Sequence, residues 1–165
     1  MAAFQEVRYV HHSADEMFDL VADVEHYHEF VPLCLRHVIL SRESHSDGEI
    51  LMTEMTVKCG IYRQSYISRV TLDRANGRIL VESSDGPLRE LRTRWTFKPR
   101  SNGTCEVGFY LNYELASPTL ALLMGAVLDA AFGRFVQAFE RRADFVYGRR
   151  HRGSSNPENI SVAFF

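Results

Sequence analysis

The feature that most constrains this chain is a long apolar segment near its C-terminus. After Ser117-Pro118, residues 119–132 read TLALLMGAVLDAAF and include a single charged residue, Asp129. Serine is a preferred helix N-cap and proline is favoured at the first helical position, so the sequence predicts one long helix from Ser117 to Arg150. Because the first half of this helix is apolar on every side, it must be covered by protein, ligand or lipid.

The residues before this helix are typical of an antiparallel sheet. Apolar and polar side chains alternate, and Asn-Gly or Asp-Gly pairs mark hairpin links. A capping box at Ser13 and Glu16 predicts a short helix, and residues 24–31 predict a second. The predicted strands are Phe4–His11, Cys34–Ser46, Glu49–Lys58, Tyr62–Asp73, Arg78–Ser84, Leu88–Pro99 and Cys105–Leu115. This order predicts an α+β domain with the final helix laid across the sheet.

Length and composition limit the number of domains and the kinds of partner and site that we expect. With 165 residues, 45% hydrophobic and 24% charged, we expect one domain over residues 1–150 and a C-terminal tail over 151–165. The net charge of −2 gives no general attraction to nucleic acid or anionic membranes. Three widely spaced cysteines disfavour a disulfide framework or a zinc site. The absence of a signal-peptide pattern predicts a cytoplasmic protein.

The inner face of the predicted sheet mixes large apolar side chains with polar tips. The large side chains are Trp95, Phe97, Phe109, Leu111 and Tyr113, and the polar tips belong to Tyr62, Gln64, Tyr66, Ser68 and Thr93. A dry core seldom accepts so many hydroxyl and amide groups, because each needs a hydrogen-bond partner. We therefore favour a cavity for an amphipathic guest over a core in which Tyr62 and Tyr66 send their hydroxyls to solvent at the rim.

The long helix is expected to form the opposite wall of this cavity. Its apolar stripe has helical spacing and consists of Leu120, Leu123, Met124, Val127, Leu128, Ala131, Phe132, Phe135 and Phe139. Gly125 and Gly133 each weaken the helix by about 1 kcal/mol relative to alanine. They allow either a lid-like bend or close packing against the sheet.

No catalytic motif is present in the sequence. It lacks a glycine-rich phosphate loop, GxSxG and HExxH. The pairs His11-His12 and His26/His28 have spacings that point their side chains apart, so we expect no metal site. Activation of Cys34 by His37 is one alternative, but a small buried thiol is the simpler interpretation.

Arginines form two groups. Arg63, Arg69, Arg92 and Arg94 fall on the outward face of the predicted sheet, and the second group, near the end of the last helix, comprises Arg134, Arg141, Arg142, Arg149, Arg150 and Arg152. The simplest interpretation is a pair of solvated faces. The alternatives are contacts with anionic lipid headgroups or with RNA phosphates.

Several separated motifs resemble those of the coenzyme Q-binding START-like proteins, within the wider polyketide cyclase/dehydrase group. They are MFDLVADVEHYHEFVPLC (17–34), SYISRV (65–70), SDGPLREL (84–91), WTFKP (95–99) and AFERRADFVYG (138–148). The chain departs from the family pattern at His28 and Leu33, where proline and tryptophan are usual. It departs again at Lys58-Cys59, where Gly-Phe is usual.

The resemblance implies a helix-grip fold, in which a curved antiparallel sheet surrounds a long C-terminal helix and leaves a hydrophobic tunnel. It also implies non-catalytic binding of ubiquinone or a similar isoprenoid in support of respiration, with no other cofactor. Some relatives are ribosome-association toxins, and distant ones are aromatic polyketide cyclases or dehydratases. These remain alternatives, the first through a basic surface at Arg63, Arg69, Arg92 and Arg94.

From the residues and the resemblance together we predict a ligand site and a membrane contact. The predicted ligand-binding residues are Phe30, Pro32, Leu33, Tyr62, Gln64, Tyr66, Trp95, Phe97, Phe109, Leu111, Tyr113, Leu123, Met124, Val127, Leu128 and Phe132. The headgroup would lie near Tyr62, Gln64 and Tyr66. Residues 119–132 would touch the inner membrane peripherally while the isoprenoid is exchanged.

Overall fold

The computed structural model describes residues 2–148, which form a seven-stranded sheet and three α-helices. The strands are β1 (Ala2–Val10), β2 (Cys34–His45), β3 (Gly48–Cys59), β4 (Tyr62–Asp73), β5 (Arg78–Ser83), β6 (Leu88–Pro99) and β7 (Cys105–Leu115). The α-helices are α1 (Ala14–Ala22), α2 (Pro118–Phe132) and α3 (Phe135–Tyr147), and 3₁₀ segments cover Val24–Glu29 and Ser101–Gly103. The predicted tail, 151–165, and the predicted helix end at Arg150 lie outside the described residues.

The sheet has the order β1-β7-β6-β5-β4-β3-β2, and every neighbouring pair is antiparallel. Strands β2 to β7 follow one another as a meander, and β1 pairs with β7, so β1 and β2 form the two edges. The predicted α+β class is confirmed. The bounds of β4, β6 and β7 agree with the sequence prediction, because uninterrupted alternation and clear turn residues define both ends of each strand.

The turn between β4 and β5 requires glycine at position 77. Gly77 has φ of +60°, and a Cβ there would lie 2.5 Å from the backbone oxygen of Phe97. The Asp73 carboxylate accepts hydrogen bonds from the backbone and side-chain amides of Asn76 at 2.9–3.2 Å. This turn fixes the register of β5 on β4, in which Asp73 faces Arg78.

Helix α1 begins with the capping box that the sequence predicts. The Ser13 hydroxyl accepts from the Glu16 amide at 3.1 Å, and the Glu16 carboxylate accepts from the Ser13 amide at 2.9 Å. Met17 and Phe18 are among the buried residues that seat this helix against the sheet. The second predicted helix is a 3₁₀ segment of six residues, Val24–Glu29.

The single long helix predicted from Ser117 is wrong in one respect, because it is divided into α2 and α3. The Gly133 amide bonds to the Asp129 carbonyl at 3.0 Å, but the Arg134 amide bonds to the Ala131 carbonyl at 3.1 Å. Arg134 has φ −107° and ψ 0°, outside the helical range. The bend therefore falls at the second of the two glycines, whereas Gly125 lies inside α2.

Residues Pro118–Tyr147 are long and apolar enough to cross a membrane by length and composition alone, and 6% of their most apolar window is buried. Core helices and signal sequences can meet the same criterion. The two halves differ sharply in packing. α3 buries Val136, Phe139 and Ala143, whereas α2 has no fully buried residue.

Candidate functional site

A cavity lies between the inner face of the sheet, the corner formed by residues 21–33, and helix α2. Its volume is about 140 Å³. Its walls come from strands β2 to β7 and are largely apolar. The helix residues that close it are Leu120, Met124, Leu128, Ala131, Phe132 and Phe135.

The size of the cavity limits what it can hold. An engineered cavity of roughly 150 Å³ lined by apolar side chains accommodates one benzene molecule. The cavity of about 140 Å³ therefore fits one ring-sized group, and a long chain attached to that group has to extend beyond it.

The structure brings most of the predicted ligand-binding residues to this cavity and excludes the others. The lining residues are Pro32, Leu33, Tyr62, Tyr66, Trp95, Leu111, Tyr113, Met124, Leu128 and Phe132. The predicted residues that do not line it are Phe30, Gln64, Phe97, Phe109, Leu123 and Val127. Their role as ligand-binding residues is thus not supported by their placement.

The excluded aromatic residues belong to a packed core beside the cavity. Phe97 meets the ring of Phe18 at 5.8 Å, and Phe109 meets Phe135 at 5.5 Å, both as centroid distances. Phe30 packs edge-on against Phe139 at 5.0 Å. Phe97 and Phe109 are thus buried among other rings, and Phe30 packs on Phe139 outside the cavity.

The other exclusions have geometric causes. Gln64 is exposed near the β3–β4 hairpin, whose tip residue Ile61 is also fully exposed. Leu123 and Val127 lie on the outer side of α2 and are 71% and 36% exposed. Spacing alone could not identify the inner side of α2, because residues of this helix are apolar all round.

Two tyrosines that line the cavity, Tyr66 and Tyr113, carry hydroxyl groups. The Tyr66 hydroxyl donates to the thioether sulfur of Met55 at 3.1 Å, and the Tyr113 hydroxyl donates to Oδ1 of Asp129 at 3.0 Å. Burial raises the pKa of both tyrosines, and the Asp129 carboxylate raises the pKa of Tyr113 further. Both hydroxyls therefore stay protonated at neutral pH. A sulfur is a weak acceptor, so the Tyr66 hydroxyl has capacity for a better one.

Sequence reasoning missed His37, which also lines the cavity. Its Nε2 lies 3.0 Å from the Thr53 hydroxyl, and its buried Nδ1 has no hydrogen-bond partner within residues 2–148. Burial lowers the pKa of His37 from 6.5 to about 4, so the ring is neutral at pH 7. The pairing of β2 and β3 shifts between Cys34 and Arg36. This irregularity turns His37 inward, where strict alternation from Cys34 would place it outward.

The remaining titratable groups offer little acid–base or nucleophilic chemistry. Burial raises the pKa of the Cys34 thiol to about 11, which keeps it protonated. Across residues 2–148 no three His, Cys, Asp or Glu side chains come together as a metal-binding group. The cavity is thus suited to binding a neutral molecule.

The predicted arginine surface divides into two places. Arg69 of β4 and Arg92 of β6 lie in one row across the outer sheet face, with Glu82 of β5 between them in register. Arg94 stacks on Tyr110 at 5.4 Å. Arg63 pairs in register with Lys58 near the β3–β4 hairpin, well along β4 from Arg69. All four predicted arginines are exposed.

The family model described as "Polyketide cyclase / dehydrase and lipid transport" matches residues 10–140. The chain belongs to this family. The resemblance seen in the sequence motifs is therefore confirmed at the level of the family.

Named relatives point in two functional directions. The ribosome association toxin RatA of Escherichia coli K12 is 33% identical over 141 residues, covering 86% of each chain. The mitochondrial coenzyme Q-binding protein COQ10 homolog B of Xenopus laevis is 29% identical over 151 residues, covering 89% of this chain and 60% of the relative.

A START superfamily protein from Mycobacterium smegmatis has the same fold, with a TM-score of 0.70. It is 18% identical, and the match covers 88% of this chain and 99% of that one. The predicted helix-grip, START-like fold is thus confirmed. At this identity the likeness speaks for the fold alone.

Proposed function

We propose that this protein binds, without transforming it, a hydrophobic molecule with a carbonyl-bearing ring, such as ubiquinone, in support of respiratory electron transport. One observation carries the proposal: the apolar cavity is lined by two side chains, His37 and Tyr66, whose hydrogen-bond donors are underused. Neutral imidazole has one N–H, and when the Thr53 hydroxyl donates to Nε2 of His37, that proton is on Nδ1. The second donor is the hydroxyl of Tyr66. A quinone carbonyl oxygen is a suitable acceptor for either.

The dimensions of the cavity suggest how such a ligand would lie. A ring fits the available volume of about 140 Å³, and an isoprenoid tail must extend from it. Leu120, Met124 and Leu128 of α2 would cover the first part of the tail, where apolar burial contributes about 25 cal/mol per Å². A relative's name includes coenzyme Q binding, which is consistent with this choice of ligand.

Binding can be tested with the fluorescence of Trp95, the single tryptophan, which lines the cavity. A ubiquinone analogue with a short tail should quench it, and lipid extraction after purification from a quinone-producing host should recover quinone. Substitution of His37 by Phe removes the N–H donor, so the dissociation constant should rise about tenfold.

The matched control is His45→Phe, the same change at an exposed position of β2. It should leave the dissociation constant unchanged. Absence of bound lipid together with absence of quenching would refute the proposed function. Equal affinity of H37F and the unmodified protein would exclude His37 as the ring anchor.

Ribosome association is the second candidate, favoured by the RatA relatives and by the exposed Arg69, Arg92 and Arg94 on the sheet. Binding through these arginines should weaken steeply as salt is added. Reversing both charges in R92E/R94E should abolish co-sedimentation with ribosomal subunits. If the variant still sediments with them, this surface is not the contact. Either role would place the protein in the cytoplasm.

A cyclase or dehydratase role has less support, although the family description includes it. General acid–base catalysis works best with a group whose pKa is close to the working pH. In the cavity, burial moves the pKa of His37 down and those of Tyr66 and Tyr113 up, away from neutrality.

A further inference from the structure

A second concave region, which we call the basic groove, lies on the outer side of α3, with a volume of about 380 Å³. Its principal residues are Phe30, Pro32, Arg134, Arg141, Arg142 and Phe145. Arg141 and Phe145 share one face of α3, because they are four residues apart, and Arg134 is the residue directly before this helix. Pro32 also lines the cavity, so the groove lies directly beside it.

The groove has arginine charge that no carboxylate of residues 2–148 balances in an ion pair. Arg142 is paired with Glu29 at 2.9 Å and stacks between the rings of Phe30 and Phe145 at 5.1 and 5.2 Å. Arg134 and Arg141 are exposed and form no ion pair with any of residues 2–148.

The acidic residues of α3 are committed elsewhere. Glu140 accepts from Arg8 of β1 at 2.7 Å, and Asp144 is 2.7 Å from the buried His12. The helix thus turns its carboxylates toward the sheet and its guanidinium groups toward the groove. The result is a local positive site on a chain whose net charge is −2.

The basic groove follows α2 along the chain. Leu123 and Val127 lie on the exposed side of α2, and Arg134 comes directly after Gly133, whose φ of −62° and ψ of −17° are still right-handed helical. Leu122, Leu123 and Val127 are 86%, 71% and 36% exposed. We call the exposed apolar residues of α2 and the basic groove together the outer stripe: it is apolar along α2 and basic along α3.

We propose that the outer stripe docks on a bilayer that contains anionic phospholipids. The basic groove would receive headgroup phosphates, and Leu122, Leu123 and Val127 would enter the boundary between headgroups and acyl chains. RNA phosphates would also pair with Arg134 and Arg141, but they would leave the leucines of α2 in water. A bilayer satisfies both parts of the stripe, and for this reason we favour it.

This inference rests on the proposed function, because a hydrophobic ligand dissolves in the bilayer and α2 closes the cavity. Docking by the outer stripe would hold α2, the helix that closes the cavity, at the membrane surface. Ligand exchange would then avoid passage of the isoprenoid tail through water.

The test is co-sedimentation of the full chain with phosphatidylcholine vesicles, with and without phosphatidylglycerol. The unmodified protein should bind the anionic vesicles at least about tenfold more tightly. R134E/R141E should lose this preference, and L122S/L123S should weaken binding to anionic vesicles by about tenfold or more. The matched control R78E/K98E reverses two exposed charges on the outer sheet face and should bind as the unmodified protein does.

Several results would overturn the inference. One is anionic vesicle binding that R134E/R141E leaves unchanged. Another is loss of ribosomal-subunit binding in R134E/R141E with no vesicle binding by the unmodified protein, which would assign the groove to RNA. A third is a dimer in sedimentation analysis that L122S/L123S dissociates, which would assign α2 to a second copy.

Quenching of Trp95 separates this inference from the proposed function. R134E/R141E should retain quenching by a short-tailed quinone, because the two arginines do not line the cavity. If the unmodified protein binds anionic vesicles but no quinone, the docking surface stands and the proposed function fails.

Discussion

The interior has two halves that differ in how completely they are filled. Under α3 lies a sealed half, in which Phe139 is 0% exposed and its ring lies 5.0 Å from Trp95 and 5.2 Å from Tyr27. Under α2 lies an open half, which contains the cavity, the neutral His37 and the hydroxyl of Tyr66. One sheet provides the floor of both halves.

The sequences of the two helices explain the difference. α3 alternates buried residues such as Val136 and Phe139 with arginines, so only one orientation buries its apolar side. α2 is apolar on all sides and gains little from any particular rotation about its axis. The amphipathic α3 therefore seals its half of the core, whereas the uniformly apolar α2 covers the other half without a fully buried residue.

The largest expected effect comes from truncating the sealed half. Phe139→Ala should lower the free energy of unfolding by about 3–5 kcal/mol, because it removes a ring that is in contact with several others. Met124→Ala, in the open half, should cost less than about 1 kcal/mol, since Met124 is partly exposed and faces the cavity. Urea denaturation of both variants measures the contrast. Comparable losses would show that the two halves are packed equally well.

The next effect concerns pH and the open half. The folded protein keeps the pKa of His37 at about 4, whereas the unfolded chain has the ordinary value of 6.5. Between these values the unfolded state binds a proton that the folded state does not. The contribution of His37 to the free energy of unfolding is therefore complete above pH 6.5. It falls by about 3 kcal/mol as the pH decreases to 4.

This pH dependence can be isolated by comparing unfolding free energies of the unmodified protein and H37F at several pH values. The difference between the two proteins should change over the interval from pH 6.5 to 4 and stay constant above it. The unfolding free energy of His45→Phe, a change at an exposed site, should vary with pH in the same way as that of the unmodified protein. A difference that is independent of pH would mean that His37 is not held neutral by burial.

The sheet was largely predictable from the sequence because its signals are local. The alternation in β4, β6 and β7 continues without interruption, and pairs such as Asn76-Gly77 separate the strands. A strand pattern does not, however, reveal a shift of register against its neighbour. The shift between Cys34 and Arg36 depends on how β2 meets β3, and it decides that His37 points inward.

The candidate site was predictable on the sheet and less so on the helix. Tyr66, Trp95 and Leu111 line the cavity, as predicted. Side chains alternate between the two faces of a strand, so the sequence alone identifies which ones point inward. Leu123 and Val127 lie on the exposed side of α2, contrary to the prediction, since α2 lacks a polar face that would define its outer side. Where amphipathicity is absent, tertiary packing alone decides the rotation of a helix.

The smallest expected effect concerns the stability of helix α2, which closes the cavity. Gly125 lies inside α2, and a Cβ there would meet no atom within 4 Å. Gly125→Ala should therefore stabilise α2 by about 0.5–1 kcal/mol, because it restricts the unfolded chain without a steric conflict. If α2 opens by local unfolding, its amides should exchange hydrogen about two- to fivefold more slowly, with α3 unaffected.

Gly60→Ala is the matched control for this change. Its Cβ would also meet no atom within 4 Å, but Gly60 has φ of +60° in the β3–β4 turn. Alanine there should destabilise the protein by about 1 kcal/mol, since an L-residue is strained in the left-handed region. Release of a short-tailed quinone should slow in G125A by the same factor as hydrogen exchange of α2. Slower exchange with unchanged release would show that the ligand leaves by a route other than opening of α2.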